Sequence, residues 1–329
     1  MLIDRFDSLF LDLDGVVYRG AAAIPGAVAA IKRAADLGKK IAYITNNASR
    51  TPQAIADQLS GYGLEADAQQ IIGSAAAGVR LLATKVPAGS KVLVVGGEGL
   101  RKETLEAGFE LVSDAAAKPA AVIQGFSQDI GWKDLAEASF AIQSGAVWVA
   151  TNQDWTLPLE RGFAPGNGTL VGAVHTAVGI LPEFAGKPFR PIFDAALQQM
   201  QVHRPLMIGD RLDTDIKGAI AAGIESATVM TGVIGNKELI GAKTDERPNY
   251  ILDSMSDLFE SYPDARETKR GIRVGQSEVE LLGDRVMLTS GHPEVIDSLR
   301  AATSLIWSSG RPVYGLQVDQ ELIGVTDVR

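Results

Sequence analysis

The chain of 329 residues has no cysteine and only three histidines. Without Cys there can be no disulfide, zinc–thiolate site, iron–sulfur cluster or thiolate nucleophile. His175, His203 and His292 lie far apart and no two share helical i, i+4 spacing, so a histidine-rich zinc site is not expected. No apolar run approaches the roughly 20 residues of a membrane span. The first residues include Asp4, Arg5 and Asp7 where a secretion signal needs an apolar stretch. The expectation is a cytoplasmic protein with no membrane insertion. Basic residues are outnumbered, with 31 Lys and Arg against 40 Asp and Glu, a net charge of −9, so no nucleic-acid surface is expected. What remains for chemistry is carboxylates, Lys, hydroxyls and amides. A metal held by such groups is a hard one, such as Mg²⁺.

Hydrophobic residues make up 46% and charged residues 22%, a composition able to bury a large core, and the length suits about two or three domains. Short apolar runs alternate with helical stretches. Ser8–Leu13, Lys40–Thr45, Pro205–Ile208, Ser226–Met230 and Tyr250–Leu252 read as strands buried on both faces. Ala27–Leu37, Gln53–Leu59, Pro191–Gln201 and Asp215–Ala222 read as helices between them. This alternation predicts an α/β fold, a doubly wound parallel sheet of Rossmann-like type. A second αβ series follows the second strand. Lys91–Val95, Ala120–Gln124 and Val147–Ala150 are its strands; Leu100–Ala107, Lys133–Gln143 and Leu170–Gly179 are its helices. The expected domains are a core of 1–80 and 185–264, an inserted α/β domain of 81–184 and a small C-terminal α+β region of 268–329. In the last, Ile272–Leu282, Arg285–Thr289 and Val313–Gln317 read as strands and Pro293–Ser308 as a helix. About 60 residues are marginal alone, so this region should lean on the core or on a second copy.

Four polar clusters fall at predicted strand ends, where open parallel sheets bind ligands. The first is Asp12-Leu13-Asp14-Gly15, two carboxylates before a Gly that allows a sharp turn. It is not a calcium loop, because the upstream ligand position is Phe10. The second is Thr45-Asn46-Asn47, a hydroxyl and two amides able to donate to phosphate oxygens. Thr51-Pro52 already suits the cap and first turn of the following helix, which leaves Thr45 free. The third is Lys187, whose charge opposes the dipole of a following helix and so calls for an anionic partner. The fourth is Gly209-Asp210 to Asp215, where Asp213 or Thr214 is expected to cap the next helix. If Asp12, Asp14 and Asp210 converge, two unit charges about 4 Å apart cost about 4 kcal/mol at an effective dielectric near 20. A divalent cation removes that cost. There is no Walker loop, and Gly96-Gly97-Glu98-Gly99 lacks the last Gly of a dinucleotide fingerprint and reads as a tight turn.

In this order the four clusters resemble the motifs of the haloacid dehalogenase superfamily of phosphatases. The insert, with Ile44-Thr45-Asn46-Asn47-Ala48-Ser49 and Ala150-Thr151-Asn152, resembles the large α/β cap of its NagD-type members. The resemblance covers about residues 6 to 262. It implies Asp12 as nucleophile, Asp14 as general acid and base, and Lys187 as the catalytic cation. It implies Mg²⁺ held by Asp12, Asp14, Asp210 and Asp215, with Asp14 acting through its backbone carbonyl and Asp215 mainly behind the others. Thr45, Asn46 and Asn47 would bind the substrate's phosphoryl group. In the cap loop that begins at Asn152, Asn152 and Asp154 could read hydroxyls and Arg161 a carboxylate. Trp155 of the same loop is expected to pack inside the cap.

The implied substrate is a small phosphate ester. The tail resembles that of actinobacterial glycerol 3-phosphate phosphatases, which carry a partial acetyltransferase-like region, so glycerol 3-phosphate is the first expectation. Phosphoglycolate, or a broader range of sugar phosphates and nucleotides, is the alternative. An acyl-CoA or acetyl-transfer role is not expected, because the tail lacks the glycine loop that binds acyl-CoA. A homodimer through the cap or the C-terminal region is the remaining expectation.

Overall fold

The computed structural model describes residues 1–159 and 161–324. It divides into two compact units, Met1–Ile41 with Arg204–Arg329, and Ala42–His203. The α/β class is as expected. No helix among the described residues is long and apolar enough to cross a membrane.

In the first unit four strands lie side by side in the order Tyr250–Leu252, Glu225–Val229, Pro205–Gly209 and Ser8–Leu11. All are parallel. Ser8–Leu11 and Pro205–Gly209 are buried along their whole length. That explains why they read as unbroken apolar runs: helices cover both faces of such a sheet. The first strand stops at Leu11, two residues before the expected end. Asp12 and Asp14 therefore belong to the loop that follows. The register Leu11↔Ile208 brings the ends of these two strands level. The chain then makes a small hairpin, Tyr18–Arg19 against Ala22–Ala23, before the helix Ala27–Asp36.

The C-terminal region belongs to this unit. Arg266–Glu267, Gly271–Val274, Ser277–Leu282 and Arg285–Ser290 form an antiparallel sheet, and Gln317–Val318 adds a parallel edge. Two expectations are corrected here. Ile272–Leu282 is two strands, because Gly275 turns the chain with φ +53°. Val313–Gly315 is a 3₁₀ turn, so only Gln317–Val318 is strand. The helix Ile296–Ser308 covers the sheet. Its Leu299, Leu305 and Ile306 share one apolar cluster with Val279 and Val286 of the sheet and with Leu239, Ile240 and Ile251 outside the region. Arg300, 7% exposed, joins Asp257, Asp297 and the Ile251 carbonyl at 3.0, 2.8 and 2.8 Å. The region leans on its own chain, as its small size requires.

The strand Lys40–Thr45 carries the chain into the second unit, where it pairs in parallel with Ile71–Gly73. The main sheet there is parallel, in the order Glu183–Phe184, Val147–Ala150, Ala121–Gln124, Lys91–Val95 and Glu110–Val112. Both outer strands escape sequence reading because they are short, two and three residues, and each begins with an exposed Glu. The helix Ser74–Ala83 escapes it for another reason. It is Ala-rich and buried at Ala75, Ala77, Gly78, Val79 and Leu82, so no polar face marks its period. The tight turn expected at Gly96-Gly97-Glu98-Gly99 is instead a helix start: Gly97 is the N-cap of Glu98–Glu106, and Glu98 and Gly99 are already helical. Thr51 caps Pro52–Gly61 by accepting from Ala54 N, as expected. After Ala150 the loop continues into an antiparallel hairpin, Thr156–Leu159 with Gly162–Pro165.

Candidate active site

The acids of the first unit converge at the ends of its two central strands. Asp12 N donates to the Ile208 carbonyl at 2.9 Å, which extends the ladder by one residue and sets Asp12 beside the end of the neighbouring strand. One carboxylate oxygen from each of Asp12, Asp210 and Asp215 lies within 4.8 Å of the other two. Asp12 is half-buried, while Asp210 and Asp215 are 2% and 0% exposed. Three glycines leave the room. A Cβ on Gly15 would lie 2.0 Å from Asp210 Oδ2, and one on Gly232 would lie 2.1 Å from Asp210 Cβ. One on Gly209 would lie 2.2 Å from Asp215 Cβ. Gly15 also has φ +89°, a left-handed conformation that a side chain would strain.

The expected cap at Asp213 or Thr214 is corrected. Leu212–Ile216 is a π turn leading into the helix Lys217–Ala222. Asp213 pairs with the Arg211 side chain at 2.8 Å, and Asp215 Oδ2 accepts from Arg211 N at 3.2 Å. The wider turn is what swings Asp215 back towards Asp210.

Asp14 stands outside this trio. Its backbone bridges to Tyr18, and Gly15 N donates to the Tyr18 carbonyl at 2.8 Å. Burial of the loop pushes the Asp14 carboxyl above the usual range, against the Gly20 and Gly15 amides and the Arg19 guanidinium, which pull it down. A carboxyl shifted towards its protonated form by burial suits a group that gives up a proton.

The second unit gathers the remaining predicted residues. Thr45, Asn152 and Lys187 are 7%, 4% and 3% exposed. Asn46 is the knot. Its amide donates to Asp154 Oδ1 at 3.2 Å and to the Lys187 carbonyl at 3.0 Å, and its oxygen accepts from Lys187 N at 2.7 Å. Asn152 Nδ2 donates to the Asn46 carbonyl at 2.8 Å. Lys187 Nζ donates to the Ile44 carbonyl at 3.1 Å. Thr45 Oγ1 accepts from Asn47 N at 3.1 Å, and Asn47 Oδ1 accepts from the Ser49 amide at 2.9 Å. Asn46 and Asn47 thus direct their side chains to tying segments and turns together. Arg161 is exposed in the hairpin turn. Trp155 is 66% exposed, which corrects its expected place inside the cap.

Sequence reading missed Arg19, Thr231, Gly232 and Val233. Val233 N donates to Asp210 Oδ2 at 2.9 Å. Arg19 Nη2 donates to the carbonyls of Thr231 and Gly232. The signal was available: Thr231-Gly232-Val233 follows the strand Glu225–Val229 after Met230 alone, at the same edge of the sheet as the acids.

The donor set suits a hard divalent cation. Every side-chain ligand atom in the trio is a carboxylate oxygen, no thiol or imidazole takes part, and three glycines keep the cradle open.

Comparison with known proteins agrees with this geometry. The haloacid dehalogenase-like hydrolase family matches residues 9–110, and a second HAD-hydrolase-like family matches residues 184–258. The chain is 41% identical over 259 residues to D-glycerol 3-phosphate phosphatase of Mycobacterium tuberculosis, covering 79% of this chain and 72% of that protein. It is 36% identical over 293 residues to glycerol-3-phosphate phosphatase of Gallus gallus, covering 80% and 94%. Among solved structures, the glycerol phosphate phosphatase of M. tuberculosis in complex with magnesium superposes with a TM-score of 0.86 at 35% identity, over 97% of this chain and 94% of that one. The p-nitrophenyl phosphatase of Archaeoglobus fulgidus superposes with a TM-score of 0.72 at 30% identity, over 77% and 98%.

Proposed function

The chain belongs to the haloacid dehalogenase-like hydrolase family, and from that premise we propose that it is a Mg²⁺-dependent phosphomonoesterase acting on glycerol 3-phosphate. The observation that carries the reading is the meeting of Asp12 with Asp210 and Asp215 within 4.8 Å at two adjacent strand ends. The names of the two glycerol 3-phosphate phosphatases, at 41% and 36% identity, support the choice of substrate.

In this reading Asp12 attacks phosphorus as the leaving alcohol departs, and an aspartyl phosphate forms. Asp14 gives the alcohol its proton, then takes one from the water that hydrolyses the phosphoenzyme. Asp12, Asp210 and Asp215, with the Asp14 carbonyl, would hold Mg²⁺, which would supply positive charge to offset that on the phosphoryl oxygens. Lys187 supplies a second positive charge for those oxygens, and Thr45 a hydroxyl donor. Asn152, Asp154 and Arg161 are the proposed selectivity residues, and Asn46 and Asn47 shape the phosphoryl loop. Residues 1–80 and 185–264 are the proposed catalytic core, 81–184 the cap and 268–329 an appended region.

A cytoplasmic location fits a catalytic set with neither thiol nor disulfide. A homodimer is the proposed assembly, with the exposed Trp155, just before the cap hairpin, and Phe163 within it, 66% and 82% accessible, as its apolar contact. Light scattering on the purified chain tests that assembly.

The deciding experiment is a panel of phosphomonoesters with Mg²⁺, read as phosphate release. Glycerol 3-phosphate should give the highest kcat/KM. Equal rates on phosphoglycolate and sugar phosphates would refute the substrate assignment, and no phosphate release from any ester would refute the phosphatase.

A further inference from the structure

Asp210 is held from an unexpected direction. Its Oδ2 accepts from the backbone N–H of Val233 at 2.9 Å. That N–H and the Gly232 carbonyl belong to one planar peptide unit, and in a trans peptide the two groups point in opposite directions. On the other side, Arg19 Nη2 donates to the Gly232 carbonyl at 3.2 Å and to the Thr231 carbonyl beside it. A guanidinium, a peptide and a carboxylate thus stand in series, each polarising the next. Thr231 Oγ1 closes the ring by donating to the Gly15 carbonyl at 3.1 Å.

The segment is anchored at both ends, by Met230 N donating to the Leu252 carbonyl at 3.0 Å and by the buried Ile234. Val233 is 76% exposed, so its side chain anchors nothing. Gly232 can approach Asp210 this closely only because it lacks a Cβ. Arg19 itself is placed by the hairpin, where it lies opposite Ala22.

We propose that Arg19 is a positioning residue: it clamps the Thr231–Val233 segment against Asp210 and so sets the affinity for Mg²⁺. This rests on the metal reading above. Arg19 also acts on the Asp14 carboxyl, so metal affinity is the discriminating readout and overall rate is not.

The test is a Mg²⁺ titration followed by the thermal unfolding midpoint, on wild type, Arg19→Met, Arg19→Lys and Thr231→Val. Arg19 is exposed, so its variants should unfold close to wild type in EDTA. Arg19→Met should raise the half-saturating Mg²⁺ concentration on the order of 10-fold or more, the scale of groups that orient metal ligands. Thr231→Val should move it in the same direction, and Arg19→Lys should recover part of the loss. With Mg²⁺ saturating, KM for p-nitrophenyl phosphate should stay at the wild-type value. A wild type that responds to Mg²⁺ while Arg19→Met responds at the same concentration would overturn the clamp alone. A wild type with no Mg²⁺ response would overturn the metal reading and the clamp with it.

Discussion

The carboxylate trio makes a quantitative demand that Asp210→Asn can test. Two unit charges 4.8 Å apart, the outer limit of separation in the trio, interact by about 3.5 kcal/mol at an effective dielectric of 20. The substitution removes two of the three pairs. It keeps the shape and leaves an amide oxygen to accept from Val233 N. Relaxation around the charges and the lost charge–amide hydrogen bond offset most of this, so the expected gain in EDTA is about 1–2 kcal/mol. At about 2–4 °C per kcal/mol, the variant should melt roughly 2–8 °C above wild type without metal. Metal reverses the order. Mg²⁺ at 100 times its dissociation constant stabilises wild type by about 2.7 kcal/mol, roughly 5–11 °C on the same scale. The variant should gain far less. Differential scanning calorimetry in EDTA and in excess Mg²⁺ measures all four midpoints. An Asp210→Asn protein that melts below wild type in EDTA and keeps the full Mg²⁺ shift would refute the reasoning, because the trio would then be neither repulsive nor the metal's seat.

Other consequences are simpler to check. Asp12→Asn should remove the nucleophile and reduce phosphate release to background, with an unchanged circular dichroism spectrum; substantial turnover would displace Asp12 from that role. Gly232→Ala puts a methyl group 2.1 Å from Asp210 Cβ, so activity at fixed Mg²⁺ should fall at least about 10-fold. Leu305→Ala should cost about 2–5 kcal/mol by denaturant unfolding. Since Leu305 shares its cluster with Leu239 and Ile251, the loss should appear in the main transition of the first unit, not in a separate early one for the tail. Asn46→Ala should remove three hydrogen bonds, one to Asp154 and two to the Lys187 backbone, and cost about 1–3 kcal/mol. It should also lower kcat, because Lys187 loses its backbone anchor.

The sequence by itself determined the chemistry and most of the scaffold. With no Cys and three scattered His, only carboxylates, Lys and amides were left to react, and four such clusters stood after apolar runs. Those runs were legible because strands buried on both faces are mostly apolar, as Pro205–Gly209 is throughout and Ser8–Leu11 is after Ser8. Short or uniformly buried elements were not legible. Glu183–Phe184 is too short to show a period, and Ser74–Ala83 is buried around much of its circumference.

Only the tertiary structure decided which polar atoms meet. Asp215 reaches Asp210 through a π turn that residue spacing read as an ordinary helix start. Asn46 reads as a phosphate donor in isolation, but its amide is taken up by Asp154 and Lys187, more than 100 positions away. Arg19 belongs to none of the four clusters, and its carbonyl partners lie over 200 residues on. Composition and periodicity report what each residue can do. Hydrogen bonds between distant segments exist only once parallel strands have set their ends level, and that register is a property of the folded sheet.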